Sequence, residues 1–324
     1  MPVNPSSSPP TGLQPWIIHG SDSWIDPPAA CGVTVGNFDG VHLGHAEIIR
    51  RLVVTARQRS MPAVALTFDP HPAAIVRPGQ VPPPLTTMAR RAELLLALGL
   101  DAVIVQPADA ALMALSAEQF FGDVLQRRLR AAALVEGADF RFGAARRGDI
   151  ALLESLCAAA NVSLEVVPPV IVGGAAVSSS RIRELVATGR VDEAAALATA
   201  AYRLTGTVIE GAKRGGPLGF PTANLGGIAT LLPAQGVYAG WATVDGGRER
   251  HPAAIHIGPN VSFGVEAVSV EAHLIGFRGD LYGRTLHVDF LTRLRDTRRF
   301  ASLEELTTQL AADVARAAEI ARRE

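Results

Sequence analysis

Short apolar runs alternate with helical patterns between residues 30 and 197. The runs suit buried parallel strands and lie at residues 33–35, 63–68, 102–105, 132–135 and 164–167. The helical patterns cover residues 89–98, 116–129 and 149–159, and Ser116 and Gln119 have the spacing of a capping box. This alternation predicts a doubly wound α/β domain, in which ligands bind at the carboxyl ends of the strands.

After residue 200 the pattern changes to short alternating segments separated by glycines. These segments lie at residues 204–209, 237–241, 268–275 and 286–290, and they predict antiparallel β structure, a small barrel or a sandwich. A helix is predicted at residues 302–322, with Ser302 and Glu305 at capping-box spacing. We therefore expect a disordered tail and lead-in at residues 1–29, an α/β domain at 30–200 and a β domain at 201–324.

The composition of the 324-residue chain is that of a globular protein, with 48 % hydrophobic and 19 % charged residues. Its net charge of -1 gives no general attraction to nucleic acid or to an acidic membrane surface. No apolar run approaches a membrane span, and residues 1–15 lack a secretory signal pattern. The only cysteines, Cys31 and Cys157, suit a reducing compartment. We expect a cytoplasmic protein, a monomer or weak homo-oligomer, with neither nucleic acid nor membrane as a partner.

Residues 33–50 carry the most specific indication of chemistry. A strand, a glycine-containing turn and a helix N-terminus form an anion site, because amide groups and the positive dipole end face the ligand. Two histidines three residues apart can share a helical face and donate to phosphate oxygens as charge builds in a transition state. Capping or a surface location is the alternative for the histidines. The candidate residues for contact with such an anion are Gly36, Phe38, His42, Gly44 and His45.

Three further segments of the first domain are candidate binding segments. Residues 67–72 follow a predicted strand, although a proline-defined turn is an alternative. Residues 137–143 mix rings and polar groups in a way that suits a flat heterocycle, or else form a core hairpin. Residues 177–183 offer hydroxyls and an arginine that either cap a helix or hold a triphosphate. The candidates are Phe68, Asp69 and His71 in the first segment, Asp139, Phe140, Arg141 and Phe142 in the second, and Ser179, Ser180 and Arg183 in the third.

The second domain contains a glycine-rich loop that ends in Pro221-Thr-Ala-Asn224. Glycines let a backbone approach phosphate, whereas Thr222 and Asn224 offer the hard oxygen ligands that Mg²⁺ prefers. A long hairpin loop is the alternative. Glu271 lies on the polar face of a predicted strand, where a surface salt bridge is the simpler interpretation. The candidate phosphate-binding residues of the loop are Gly211, Lys213 and Gly219.

The string G-x-F-D-G-x-H-x-G-H at residues 36–45 resembles the signature of the H-x-G-H nucleotidyltransferases. With residues 67–72, 137–143 and 177–183 in the same order, the first domain resembles the FMN adenylyltransferase half of the bacterial bifunctional riboflavin kinase/FAD synthetases. The Pro221–Asn224 element and the strand containing Glu271 resemble their riboflavin kinase half. The resemblance extends from about Ala30 to the C-terminus.

This resemblance implies a Rossmann-like nucleotidyltransferase domain followed by a riboflavin kinase-like β-barrel with a C-terminal helix. It implies phosphorylation of riboflavin to FMN and adenylylation of FMN to FAD, with ATP and Mg²⁺. His42 and His45 would stabilise charge, Glu271 would be the general base, and Thr222 and Asn224 would hold the metal. The serines and arginine of residues 177–183 would hold ATP phosphates. The flavin would contact the candidates of residues 67–72 and 137–143 and, in the kinase half, Asn260 and Arg295.

The chain departs from the family pattern at Gly216, Val261 and Thr297, all in the kinase half. One alternative is therefore an FAD synthetase whose kinase module only binds flavin. Another is a non-catalytic flavin-binding protein, which would need neither a base nor a triphosphate clamp. A nucleotidyltransferase for another phosphate monoester would share the H-x-G-H motif but would leave the second domain unexplained.

Overall fold

The structure is a computed structural model that describes residues 16–24, 28–77, 79–211, 216, 218–259 and 268–323. The chain forms two compact units. The first comprises the chain up to Pro82 together with Met88–Ser178, and the second comprises Pro83–Thr87 together with the chain from Ser179 onward. Within the described ranges, every helix is too short or too polar to cross a bilayer.

The first unit contains a parallel sheet with helices on both faces. The strands of this sheet are β1 (Trp16–His19), β2 (Cys31–Val35), β3 (Ala63–Asp69), β4 (Ala102–Pro107), β5 (Ala131–Gly137) and β6 (Ser163–Val167). A separate short hairpin consists of β7 (Ile171–Val172) and β8 (Ala175–Ala176). Its α-helices are α1 (Leu43–Gln58), α2 (Pro72–Val76), α3 (Met88–Ala97), α4 (Ala110–Ala114), α5 (Ala117–Gln119) and α6 (Ile150–Ala159). Short 3₁₀ turns lie at Ser21–Ser23 and Ala144–Arg146, and a π-helix spans Phe120–Arg128.

The strand order of this sheet is β1-β4-β3-β2-β5-β6, and all neighbours are parallel. One core, with Leu66, Phe121 and Leu153, covers one face, and a second core, with Ile49, Leu52 and Leu95, covers the other. The order reverses between β2 and β5, so the loops that follow these two strands flank the switch point where such sheets bind ligands. The predicted doubly wound domain is confirmed.

Two features of this unit differ from the expectation. β1, at residues assigned to the tail and lead-in, pairs with β4 as the edge strand of the sheet. The predicted helix at residues 116–129 is one α-helical turn followed by the π-helix, although its reciprocal capping box between Ser116 and Gln119 is present as expected. The start is visible in local sequence, whereas the rare π register of the following turns, in which Phe121 lies in the core, is not.

Among its described residues, the second unit is a closed barrel with three helices. The helices are α7 (Ser179–Ala187), α8 (Val191–Leu197) and α9 (Leu303–Ala321), and the strands are β9 (Arg203–Ile209), β10 (Ala223–Gly226), β11 (Gly236–Val244), β12 (Arg250–Pro259), β13 (Val268–Leu274) and β14 (Thr285–Arg295). The barrel closes in the order β10-β13-β12-β11-β14-β9 with antiparallel neighbours throughout. Of the two predicted arrangements, the barrel is therefore the one that forms.

Alternate residues of the barrel strands point inward and are buried, including Tyr238, Ile255 and Phe290. The intervening residues form the outer face, and α9 packs against β11, β12 and β14. The predicted capping box of α9 is only half present. Ser302 accepts from the amide of Glu305, but the Glu305 carboxylate accepts from the amide of Ala301 instead of that of Ser302.

Candidate functional site

His42 and His45 lie at the start of α1, in the loop that follows β2 at the switch point. His42 is the N-cap residue, and its Nδ1 accepts from the backbone amide of His45 at 3.3 Å. In return, Nδ1 of His45 accepts from the backbone amide of His42 at 3.3 Å. The two rings stack with centroids 3.6 Å apart and planes 18° from parallel. The predicted shared face and the alternative capping role are thus both realised.

The electrostatics of this pair favour neutral rings. Burial is the main cause that lowers the pKa of His42 to about 4, against smaller opposing effects of Asp139 and Asp39. The pKa of His45 lies well below its usual value because of burial first, and then because of His42 and Arg91. Since both Nδ1 atoms accept hydrogen bonds, each neutral ring carries its proton on Nε2. The site thus offers two N–H donors without introducing charge.

Glycines of the motif make room for these rings. A Cβ at Gly44 would lie 3.1 Å from both Nδ1 and Cε1 of His42, and one at Gly36 would lie 3.0 Å from Cζ of Phe38. Phe38 in turn meets His45 edge to face at 5.2 Å. The two glycines therefore have a packing role in this loop, in addition to the phosphate contact expected of them.

The end of β5 and the loop that follows it lie beside the same helix. A Cβ at Gly137 would lie 3.5 Å from Cδ1 of Ile48 on α1. Asp139 is exposed and close enough to act on the pKa of His42. The structure therefore brings Asp139 together with the histidine pair, as the carboxyl ends of neighbouring parallel strands require.

The other candidates of residues 137–143 divide between surface and core. Arg141 is exposed and pairs with Asp149 at 3.0 Å. Phe142 is 5 % exposed, belongs to the core and stacks on Phe140 at 5.5 Å. Core packing, the alternative interpretation, therefore describes Phe142, whereas Phe140 is only partly buried and is better placed to meet a ligand.

The candidates of residues 67–72 lie at the end of β3, next to β2. Phe68 is 9 % exposed and packs in the core, whereas Asp69 is exposed. His71 is the N-cap residue of α2, and its Nδ1 accepts from the amide of Ala73 at 3.1 Å. This segment therefore combines the predicted turn with polar groups at the sheet edge.

The serine segment begins a helix of the second unit. Ser179 and Ser180 form the first turn of α7, and Ser180 is exposed. Nε of Arg183 donates to the carbonyl of Pro83 at 3.2 Å. Both the start of the helix and the arginine one turn later agree with the sequence pattern.

A second constellation lies on the outer face of the barrel around Glu271. The hydroxyl of Thr222 lies 3.1 Å from Oε2 of Glu271, and the hydroxyl of Ser269 lies 3.1 Å from Oε1. Asn224 of β10 and His256 of β12 are the residues directly opposite Glu271 on its two neighbouring strands. Side chains of such pairs share one face. The predicted base and both predicted metal ligands therefore converge.

The backbone near Asn224 leaves space for its amide. A Cβ at Gly211 would lie 2.1 Å from Nδ2 of Asn224, so no other residue fits there without displacement. Gly219 has a φ of +86°, which favours glycine. The candidates Lys213 and Asn260, and the departure Val261, lie outside the described residues.

Arg295 pairs with an acidic residue of the last helix. Its Nη2 lies 2.7 Å and its Nε 3.0 Å from Oδ2 of Asp313, which is 5 % exposed. The guanidinium also lies 5.6 Å from the ring of Phe300. Arg295 therefore links β14 to α9, and any flavin contact would use a side chain that is already oriented by Asp313.

Sequence reasoning missed several residues of these sites. Arg91 of α3, which is 5 % exposed, forms an ion pair with Asp39 beside the histidines. A signal existed, because Arg91 interrupts the apolar stripe of a predicted helix. Ser269 and His256 were also missed. Ser269 lies two residues before Glu271 and therefore on the same face of β13, whereas the buried Val270 lies on the opposite face, so this strand pattern could have revealed Ser269.

Comparisons with known proteins match both halves of the chain. A sequence model described as FAD synthetase matches residues 25–181, and one described as riboflavin kinase matches residues 198–321. A bifunctional riboflavin kinase/FMN adenylyltransferase of Escherichia coli (strain K12) is 34 % identical over 288 residues, which cover 89 % of this chain and 91 % of the relative. The protein of the same description from Pseudomonas fluorescens is 36 % identical over 291 residues, covering 90 % and 93 %.

A solved structure has a similar fold. The crystal structure of a Streptococcus pneumoniae protein, described as a macrolide-efflux protein, is 31 % identical with a TM-score of 0.82, and the match covers 92 % of this chain and 97 % of that one. These matches extend over almost the whole chain, and they include both residue clusters described above, the one at His42 and His45 and the one around Glu271. The chain belongs to the bifunctional riboflavin kinase/FMN adenylyltransferase family.

Proposed function

We propose that this chain makes FAD from riboflavin in two ATP-dependent steps. Residues 201–324 phosphorylate riboflavin to FMN, and residues 30–200 transfer the adenylyl group of ATP to FMN with release of pyrophosphate. The observation that carries the first domain's role is the stacked pair of neutral imidazoles at the switch point, His42 and His45, each with a proton on Nε2.

In adenylyl transfer, a phosphate oxygen of FMN attacks the α-phosphorus of ATP and the bond to pyrophosphate breaks. Such reactions depend on positioning and charge stabilisation rather than on a protein nucleophile. The Nε2–H groups of His42 and His45 donate to phosphate oxygens on which charge develops. Because burial keeps both rings neutral, they act as hydrogen-bond donors and carry no charge into the ground state.

The remaining candidates of the adenylyltransferase bind the two substrates. Ser179, Ser180 and Arg183 hold ATP phosphates, which is supported by the first turn of α7 with its amide groups and positive dipole end. Gly36 and Phe38, which precede α1, and Gly44, in its first turn, contact the ATP nucleotide. Flavin contacts are assigned to Asp139 and Phe140 first, since they are more accessible than Phe142. Phe68, Asp69, His71 and Arg141 complete the proposed flavin set.

In phosphoryl transfer, Glu271 accepts the proton of the terminal ribityl hydroxyl of riboflavin as the γ-phosphoryl group of ATP moves to that oxygen. Hydrogen bonds from Thr222 and Ser269 to the two oxygens of Glu271 support this role, because they orient the carboxylate. Gly211, Lys213 and Gly219 are assigned to ATP phosphates, and Asn260 and Arg295 to the flavin.

The donor set beside Glu271 suits Mg²⁺. A hydroxyl, an amide oxygen and a nearby carboxylate are hard oxygen donors, and Thr222 can direct its hydrogen to Glu271 while a lone pair faces a cation. Thr222 and Asn224 would therefore hold the ion. When bound there, Mg²⁺ would neutralise phosphate charge in the phosphoryl transfer.

A narrower function, FAD synthesis from FMN alone, has one observation in its favour. The kinase half has Gly216 and Thr297 where the family pattern often has charged residues. Thr297 packs beside Gly258, where a Cβ would lie 3.1 Å from Cγ2 of Thr297. The expectations of a cytoplasmic protein and of a monomer or weak homo-oligomer stay predictions.

The test is chromatography of purified protein incubated with ATP and Mg²⁺, with riboflavin in one reaction and FMN in a parallel one. FAD from both substrates is the expected result. FAD from FMN alone would contradict the kinase assignment and support the narrower function. No FAD from either substrate would contradict the proposal as a whole.

A further inference from the structure

A buried ion pair lies beside the histidines and has no role in the mechanism above. Nη2 of Arg91, on α3, is 3.0 Å from Oδ1 of Asp39. Arg91 is 5 % exposed and Asp39 is 4 % exposed. Removing two charges from water is costly, and a hydrophobic pair often serves stability as well or better. Because stability alone does not require this buried ion pair, its position beside the histidines indicates a functional role.

Asp39 belongs to a turn with an uncommon backbone. Phe38 has a φ of +49°, Gly40 of +80° and Val41 of +35°. Positive φ is costly for phenylalanine and especially for β-branched valine, and such a backbone persists only where surrounding contacts hold it. One contact within the turn is a hydrogen bond from the amide of Val41 to the carbonyl of Phe38 at 3.1 Å. The ion pair adds a contact to a helix about fifty residues away in the chain.

This turn sets the position of both catalytic candidates. Phe38 contacts the His45 ring at 5.2 Å, and Val41 immediately precedes the N-cap residue His42. The two charges of the pair also act on different rings. Asp39 opposes the lowering of the His42 pKa that burial causes, whereas Arg91 adds to the lowering of the His45 pKa, after burial and His42. A shift of the pair would change both the geometry and the charge of the donors.

We propose that Arg91 is a positioning residue for adenylyl transfer. Acting through Asp39, it holds the Phe38–Val41 turn so that the His42 and His45 rings stack and present Nε2–H to the substrate phosphates. This inference rests on the proposed role of the histidines and adds to it a residue outside the motif.

The test uses the full-length protein, whose riboflavin phosphorylation serves as an internal control. Arg91→Met keeps much of the apolar side-chain volume and removes the charge. We expect kcat for FAD formation from FMN to fall by about 10- to 100-fold, because displacement by about 1 Å has effects of this size, while KM for FMN and ATP changes by less than about twofold. Arg90→Met is the matched control, since Arg90 pairs with the exposed Glu93 on the same helix and should leave kcat unchanged.

Arg91→Lys tests the proposal even if the Met variant does not fold. Lysine keeps the charge but lacks the planar fork, so we expect a fall in kcat of about 3- to 10-fold. Histidine ¹⁵N shifts give a second readout: wild type should show Nε2–H tautomers for both rings, and Arg91→Lys should show a mixture. A purely structural role would lower the folded fraction but leave kcat per folded molecule and the tautomers unchanged.

His42→Asn, measured in parallel, separates this inference from the proposed function. In one outcome, His42→Asn loses FAD formation while the Arg91 variants keep the wild-type kcat and the wild-type histidine tautomers. That result would overturn the role of Arg91 and leave the proposed role of the histidines intact. Wild-type kcat in His42→Asn would instead overturn the proposed role of the histidines. Loss in both, with the Arg90 control unaffected, is the expected result.

Discussion

Replacing His42 by asparagine separates its capping role from its chemical role. His42 is the N-cap residue of α1, and its Nδ1 accepts from the amide of His45. Asparagine is among the best N-cap residues, so His42→Asn retains an acceptor for this amide, whereas His42→Ala loses it. We expect the free energy of unfolding of the first domain to fall by about 1 kcal/mol more in His42→Ala than in His42→Asn.

Catalysis should respond differently, because neither variant has the Nε2–H donor. Loss of one donor to transition-state charge lowers kcat by about 10²- to 10³-fold, so both variants should lose FAD formation from FMN to a similar extent. The assay is steady-state kinetics of FMN adenylylation, combined with thermal denaturation followed by circular dichroism. Wild-type kcat in His42→Asn would refute the reasoning, since it would make His42 a cap only.

Three further predictions concern both units. Glu271→Gln should lower kcat for riboflavin phosphorylation by about 10²- to 10⁴-fold and leave FMN adenylylation unchanged, which kinetics with each substrate can measure. Lowering the pH from 6.5 toward 4 should lower the free energy of unfolding of the first domain by about 3 kcal/mol through His42, which pH-dependent denaturation can test. The folded pKa of His42, about 4, lies below the unfolded value of 6.5, so the unfolded chain binds more protons between these two values. The stabilisation from neutral His42 is therefore fully present above pH 6.5 and is lost as the pH falls toward 4. Gly240→Ala should lower the melting temperature of the barrel, since its Cβ would lie 2.2 Å from the carbonyl oxygen of Asp289, whereas Gly122→Ala, with open space around the Cβ, should not lower that of the first domain.

Local sequence patterns predicted the helices and strands themselves better than they predicted which strands pair with each other. The apolar runs of β2, β3 and β5 and the capping box of α5 are short-range features, so the alternation of strands and helices could be predicted from sequence. The edge strand β1 could not, because its four residues form a strand through pairing with β4, about eighty-five residues away. The closure of the barrel likewise depends on the pairing of β9 with β14.

The sites show the same distinction. His42 and His45 are three residues apart and could be predicted together, and the resemblance placed Glu271 with Thr222 and Asn224. The stacking of the imidazoles, the burial that keeps them neutral and the pairing of Arg91 with Asp39 depend on contacts between distant elements. Phe142 shows the converse error, since a ring in a motif can be a core residue instead of an exposed ligand contact.

The most direct test of the account follows the products of riboflavin, ATP and Mg²⁺ in His42→Asn and Glu271→Gln proteins side by side. If the two reactions occur at two independent sites, His42→Asn should accumulate FMN without FAD. Glu271→Gln should make FAD only when FMN is supplied. FAD formation from riboflavin by either variant at the wild-type rate would contradict the assignment of that residue. Loss of both reactions in a folded variant would contradict the division of the two activities between the domains.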